Sequence, residues 1–379
     1  MKTSIIKWMG IAAFAALATA GSAAAAATAE PPKIIIDSDY NTMSDDGQLG
    51  VMAAQLQAEG KLKVMGITVV SGNQWLEQGV ADALKSVERL GVGKQIGVYR
   101  GADYALDHDH ATIKRELAAG AGGDGYLGAW NRPEPRRAAD LKAPPDGFAT
   151  HTQVQRESAV DFIIRTVKAN PHQITVLAIG PLTNIALAVK RSPDIVPLIK
   201  QIIYMGGALH VPGNTTKAAE FNWWFDPEAA QQVVRLPIPQ VVVPLDVTDT
   251  VFLTKAIYDR VAHPAHPSAV TEVYRKEIGY GFSGTNGFEN NPAYTQNIWD
   301  TLTVAYLLDP AYATDVSEEY VDVVAKPGSP DNGRSIGYAQ APAGVALQKM
   351  KVVKKFDNAR FFDLYVDLLT RPVPVKLAD

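Results

Sequence analysis

The chain has 379 residues, 47% of them hydrophobic and 20% charged, with no cysteine and a formal net charge of −4. This composition is that of an ordinary globular protein, and the length suits one large domain or two small ones. The absence of a basic patch argues against nucleic acid as a partner, and the absence of cysteine rules out a disulfide-stapled scaffold.

In chain order, Lys2 and Lys7 precede an apolar run, 8–20, that dissolves into the alanines ending at Ala27. This pattern predicts a secretory signal peptide over 1–27, and it resembles a membrane anchor less because the apolar run is short. Its removal deletes two lysines and no acid, taking the net charge from −4 to −6. An alanine-rich leader suggests bacterial export, so the expected location is the periplasm or outside the cell. No apolar span of 18 residues follows.

The next stretch, 34–47, reads Ile-Ile-Ile-Asp-Ser-Asp-Tyr-Asn-Thr-Met-Ser-Asp-Asp-Gly. A buried strand runs straight into Asp37, Asp39, Asp45 and Asp46. Residues two apart on a strand point the same way, so Asp37 and Asp39 share a face. Ser44 is a good N-cap for the helical pattern of Leu49, Met52, Ala53 and Leu56, which Gly60 closes. Asp45 and Asp46 then sit in the first turn, where the helix dipole favours negative charge. So many converging carboxylates need a counter-charge. A hard divalent cation is the simplest, and Ca2+ tolerates irregular geometry better than Mg2+. The same acids also read as a plain turn and helix start, or as a phosphatase with Asp37 as nucleophile. The phosphatase would need a Lys and a further acidic pair on later strand ends, and none is clearly placed.

A second strand, 62–70, ends at Ser71-Gly72-Asn73, followed by a helix over 75–90 and a short strand over 96–99. This alternation predicts an α/β fold with an open, mostly parallel sheet and helices on both faces, in a single domain. Residues 101–150 interrupt it with Gly, Pro, Asp and Ala around the run 124–128; inserts of this length are usually functional. His108 and His110, two apart here, could bind a transition metal, though such a loop pair is more often solvated.

The rhythm resumes with a helix over 156–169, a strand over 174–179 ending at Gly180-Pro181-Leu182-Thr183-Asn184, and a strand over 201–204 ending at Met205-Gly206-Gly207. Pro181 fits a first helical position. Asp226 reads as an N-cap, and a strand over 240–244 ends at Leu245-Asp246. Residues 255–280 look helical, 281–294 form a loop, and Asn297-Ile298-Trp299-Asp300 leads into a helix over 301–308. The tail reads as strands over 320–324 and 351–353 and a helix over 358–369. Polar or glycine residues recur at strand ends (Asp39, Asn73, Gly180, Gly207, Asp246), the edge where open parallel sheets bind ligands.

The run 34–47, Gly66-Ile67-Thr68 through Asn73, the run 180–184, Met205-Gly206-Gly207, Glu220-Phe221-Asn222 with the run 226–230, and Asp300 before Ala305-Tyr306 stand in the order typical of nucleoside hydrolases. From Lys33 to about Leu369 the chain resembles that family, the inosine–uridine-preferring N-ribohydrolases. The resemblance implies a catalytic domain over 33–379, carrying the insert 101–150, that splits ribonucleosides into ribose and base for salvage. It implies a Ca2+ site of Asp39, Asp46, the carbonyl of Ile179 and Asp300, with Asp39 also the general base toward a water held by the metal. Asp45, Asn73, Asn222 and Asp300 would hold the 2′ and 3′ hydroxyls. Asn214, Glu220 and Met205 would lie toward the 5′ hydroxyl, and Asp37 behind the site. Such folds usually form homodimers or homotetramers.

Three departures stand out. The link from Asp39 to Asp45 is two residues longer than typical, and Met205 to Asn214 one longer. Well-known members carry a His before the last metal Asp that helps protonate the leaving base; Trp299 stands here. Tryptophan cannot act as an acid but can stack on a base, so the proton would come from Tyr274, Tyr294 or a loop residue. The physics suits the family's reaction. A carboxylate-rich floor stabilises an oxocarbenium-like sugar, and buried Asn and Glu select hydroxyls. The main alternative is a non-catalytic nucleoside- or sugar-binding protein of the same fold.

Overall fold

The computed structural model describes residues 30–118, 125–281 and 284–377; the expected signal peptide lies outside them. The strands are β1 (Lys33–Ser38), β2 (Lys63–Val69), β3 (Val98–Arg100), β4 (Ile174–Ala178), β5 (Gln201–Met205), β6 (Gln240–Val243), β7 (Phe252–Leu253), β8 (Gln296–Asn297), β9 (Ala313–Val323), β10 (Ser335–Tyr338) and β11 (Lys349–Phe356). The helices are α1 (Asp45–Ala58), α2 (Leu76–Arg89), α3 (His110–Ala118), α4 (Ala159–Ala169), α5 (Thr183–Arg191), α6 (Phe221–Phe225), α7 (Pro227–Val234), α8 (Leu245–Thr248), α9 (Lys255–Ala262), α10 (Ala269–Ile278), α11 (Thr301–Leu308) and α12 (Asn358–Thr370).

Among the described residues one nine-stranded sheet runs β10-β9-β11-β6-β5-β4-β1-β2-β3, and β7 pairs with β8 in a separate ribbon. The pairings from β3 across to β11 are parallel. β9 and β10 run antiparallel at one edge. The strand order makes β1 the pivot. The chain moves outward through β2 and β3, then restarts on the other side of β1 with β4, β5 and β6. The carboxyl ends of β1 and β4 therefore border the topological switch point, where a crevice opens in folds of this kind.

The apolar runs follow from burial on both faces. Ile34 and Ile36 enter one core with α1, α2, α11 and α12, whereas Ile35 enters the other with α4, α5 and α7. Leu177 and Ile179 divide from Val176 and Ala178 in the same way. A strand covered on both sides needs apolar residues at every position, not at alternate ones.

Several expected elements are corrected. Residues 255–280 form two helices, because Pro264 and Pro267 lack N–H donors and push the preceding residues out of helical geometry; Ser268 then starts α10 with a capping box to Thr271. α5 starts at Thr183, so Pro181 stands two residues before its first helical position. Ser44 is at the N-cap position of α1, but its hydroxyl donates to Asp46 Oδ2 at 2.9 Å instead of accepting a backbone N–H. β9 begins at Ala313, seven residues before the expected start, because its first half is mostly exposed and carries no apolar signal. The edge strand β10 was not foreseen. The described part of the insert carries α3 and short 3-10 turns at Gly128–Asn131 and Ala138–Asp140. Arg89 pins its far end by a paired contact to Asp146, 2.8 Å at each nitrogen.

Candidate active site

The site is assembled where β1 and β4 end. Asp37, the penultimate residue of β1, is buried, and its Oδ1 accepts from Thr68 Oγ1 at 2.5 Å and Asn184 Nδ2 at 2.8 Å. Burial pushes its pKa up to about 6 against those two donors. These partners hold Asp37 as a structural support, and no lysine of the kind phosphoaspartate chemistry needs stands among them.

Asp39 follows β1. Its Oδ2 accepts the backbone N–H of Asn73 at 2.6 Å, while its buried Oδ1 has no partner. Glycine makes this placement possible: a Cβ on Gly72 would collide with Asp39 Oδ2, and one on Gly180 would lie 2.7 Å from the Asp39 nitrogen. The glycines that end the second and fourth strands thus clear the space that Asp39 occupies.

The start of α1 adds the next acids. Asp46 Oδ1 accepts from Ser38 Oγ at 2.6 Å, and its Oδ2 accepts from Ser44 Oγ at 2.9 Å and Asn73 Nδ2 at 3.1 Å. Asp45 Oδ2 accepts the backbone N–H groups of Trp299 at 2.9 Å and Asp300 at 3.1 Å, which draws the start of α11 against the start of α1. Carboxylate oxygens of Asp45, Asp46 and Asp300 come within 4.8 Å of one another. Burial raises the pKa of all these acids, and repulsion between them adds to it at Asp39, Asp46 and Asp300. Asp46 is pushed up to about 7 by burial and by Asp45, and Asp300 is raised well above the ordinary carboxylate range by burial and the Asp45, Asp46 and Asp39 charges. Asp39 is raised by burial and by Asp46.

The floor continues on the β4–β5 side. Asn222 Nδ2 donates to the carbonyls of Met205 at 3.1 Å and Ile179 at 3.4 Å. Glu220 caps α6, its carboxylate accepting from the N–H groups of Asn222, Gly207 and Trp223 at 2.7, 2.9 and 3.1 Å. Burial pushes its pKa up to about 7. Asn214 Oδ1 accepts the N–H of Phe221 at 2.9 Å, so it braces the loop that carries Glu220 and Asn222. Asp226 is the expected cap of α7, accepting from Ala229 N at 3.0 Å, and it also takes the Thr183 hydroxyl at 2.6 Å.

Among the described residues no Lys or Arg pairs with Asp39, Asp45, Asp46 or Asp300. Several buried carboxylates without a cation, one of them with a free oxygen, fit a divalent metal of the hard, oxygen-seeking kind. The donor set is all oxygen, which excludes a preference for soft metals.

Two contacts escape local sequence reasoning. Tyr126, in the insert, donates its hydroxyl to Asn73 Oδ1 at 3.0 Å. Asp249, at the end of α8, accepts the indole N–H of Trp299 at 2.9 Å. The only signals available were a Gly-Tyr pair inside an insert and an acid three residues after a strand-end acid. Other candidates fall away. Tyr274 is fully buried in the core with its hydroxyl 3.3 Å from that of Tyr365, so it offers no proton to a ligand. His108 is buried between Glu116, at 3.0 Å, and the Phe225 carbonyl, and His110 packs on Trp130. The two histidines serve packing and give no metal pair.

The family profile for inosine-uridine preferring nucleoside hydrolases matches residues 34–363. The chain belongs to this family. This nucleoside hydrolase acts on N-glycosyl bonds. It is 34% identical over 281 residues to an uncharacterised protein of Schizosaccharomyces pombe, covering 73% of this chain and 80% of that one. It is 31% identical over 309 residues to a pyrimidine-specific ribonucleoside hydrolase of Escherichia coli, covering 81% and 87%. Among solved structures, a plant nucleoside hydrolase matches its fold with a TM-score of 0.72 at 24% identity, over 90% of this chain and 100% of that one. A purine-preferring ribonucleoside hydrolase from Gardnerella vaginalis matches with a TM-score of 0.68 at 25% identity, over 89% and 98%.

Proposed function

We propose that this chain is an exported, Ca2+-dependent hydrolase that cleaves ribonucleosides to ribose and free base. The observation that carries the reading is the cluster of buried carboxylates at the switch point, paired with no Lys or Arg among the described residues and with Asp39 Oδ1 unpartnered. Asp39, Asp46, Asp300 and the carbonyl of Ile179 would hold the ion. When bound, Ca2+ neutralises these acids, anchors vicinal hydroxyls and acidifies a water.

The residues themselves account for the rest. Asp39 accepts the proton of the attacking water, since its free oxygen faces no competing donor. Asp45, Asn73 and Asn222 suit the 2′ and 3′ hydroxyls, and Glu220 suits the 5′ hydroxyl. The acidic floor stabilises the positive charge that grows on the sugar as the N-glycosidic bond breaks. Trp299 closes the base side and offers a π face, which favours the larger purine ring.

The test is reducing-sugar release from a panel of purine and pyrimidine ribonucleosides, before and after chelation and again with Ca2+ restored. Release that vanishes with the chelator and returns with Ca2+ supports the reading. Binding without release, at any metal level, would overturn it. Export is tested by fractionating cells for the mature chain beginning near Thr28.

A further inference from the structure

Asp249 sits where fold stability gives little reason for an acid. It follows α8 directly, at a helix C-terminus, where the dipole disfavours negative charge. Asp246, three residues earlier, repels it. No ion pair with a Lys or Arg is formed by Asp249 among the described residues. Its oxygen Oδ1 instead gathers two side-chain donors from the end of β8 and the residues just after it: Asn297 Nδ2 at 3.2 Å and Trp299 Nε1 at 2.9 Å. The β7–β8 ribbon makes this meeting possible, since Phe252 pairs with Asn297 and Leu253 with Gln296. Residues 50 apart in the chain thereby become neighbours. Its partner Trp299 directly precedes Asp300 of the acid cluster, which places Asp249 at the rim of the site and not on a remote surface.

The Trp299 residue is thus held at two points. Its backbone N–H is bonded to Asp45, inside the acid cluster, and its indole N–H is bonded to Asp249. An indole has a single donor. With that donor engaged, the ring meets a ligand only through its face, and it cannot turn about χ2 without breaking a charge-assisted bond.

We propose that Asp249 is a positioning residue for the base: it locks the Trp299 indole in one orientation so that the ring serves as a fixed stacking platform, with its edge closed to hydrogen bonding. The proposal rests on the nucleoside reading above. Locking a platform in advance removes the rotamer entropy that stacking would otherwise have to overcome, and so acts on affinity and on alignment of the scissile bond.

The experiment is a double-mutant cycle with Asp249→Ala and Trp299→Phe, read as kcat and KM on a purine ribonucleoside. Asp249→Ala alone is expected to lower kcat/KM about tenfold, as loss of one bond to a charged group implies. The conservative Asp249→Asn, which keeps an acceptor at Oδ1, should recover most of that loss. In the Trp299→Phe background, which has no indole N–H, Asp249→Ala should change activity less than twofold. An equal loss in both backgrounds would overturn the proposal, because Asp249 would then act without Trp299. Full activity in Asp249→Ala would overturn it as well. Ribose release by the unaltered protein tests the hydrolase reading separately. If release is absent, the same cycle is read from nucleoside affinity by calorimetry, with the same expectations.

Discussion

Tyr126 donates its hydroxyl to Oδ1 of Asn73 across 3.0 Å, and this one bond ties the insert to the acid cluster. Asn73 passes the connection on, its backbone N–H to Asp39 at 2.6 Å and its side-chain amide to Asp46 at 3.1 Å. The amide has a donor end facing a carboxylate and an acceptor end facing a hydroxyl, so its orientation is fixed from both sides. Removing the hydroxyl with Tyr126→Phe should lower kcat/KM about fivefold, near 1 kcal/mol, with little change in melting temperature. Steady-state rates of the two proteins, measured with Ca2+ in excess, check this; equal rates would show that Asn73 needs no brace.

Asp39→Asn keeps the shape of the side chain and removes the base. Turnover should fall by about a thousandfold or more. Wild-type rates in this variant would remove Asp39 from the role.

Gly180→Ala tests the space around the same acid. The new methyl would stand 2.7 Å from the Asp39 nitrogen and 2.9 Å from its Oδ1, against backbone that cannot swing aside. We expect a destabilisation of about 1–3 kcal/mol, as for other overpacked sites, together with a loss of Ca2+ affinity. A calcium titration with calorimetric readout, beside thermal melting, separates the two effects. Unchanged Ca2+ affinity in a folded variant would show that Asp39 does not hold the ion.

The pH dependence of the insert is set by Glu88. Its carboxylate accepts the N–H groups of Thr150, His151 and Thr152, at 3.0, 2.7 and 3.0 Å, and these bonds hold its pKa down to about 2 from an ordinary 4.5. The folded value lies below the unfolded one. The contribution is therefore present above about pH 4.5 and fades as the pH falls toward 2. Hydrogen-exchange protection of these amides should be high at pH 7 and drop on acidification. Glu88→Gln should lose much of that protection at pH 7 already; protection unaltered by the substitution would mean that other contacts hold the segment.

Trp299→Ala removes the stacking face. The KM for purine ribonucleosides should rise about tenfold, within the 1–3 kcal/mol typical of a base on an aromatic ring. A larger effect on pyrimidines than on purines would contradict the assignment.

Much of this was legible in the sequence because the signals are local. Three isoleucines in a row predict a strand buried on both faces, and the division of Ile34 and Ile36 from Ile35 between two cores bears that out. Asp45 and Asp46 after Ser44 announce a helix start. Pro264 and Pro267 should have broken the long helix expected over 255–280; the apolar pattern on either side masked them. The first half of β9 was illegible for a different reason: an exposed strand held by edge pairing has no need of apolar residues.

What the sequence determined by itself was the class of fold, the family, and the set of acids that one strand end and one helix start could present, since each depends on neighbours within a few residues. The tertiary structure decided which distant groups complete the site. Tyr126 reaches Asn73 over 53 residues, Asp249 reaches Trp299 over 50, and Asp300 closes on Asp45 over 255. Nothing in the local pattern encodes these meetings. They follow from the order of strands in the sheet, because only the crossing at β1 brings the ends of separate loops to one point.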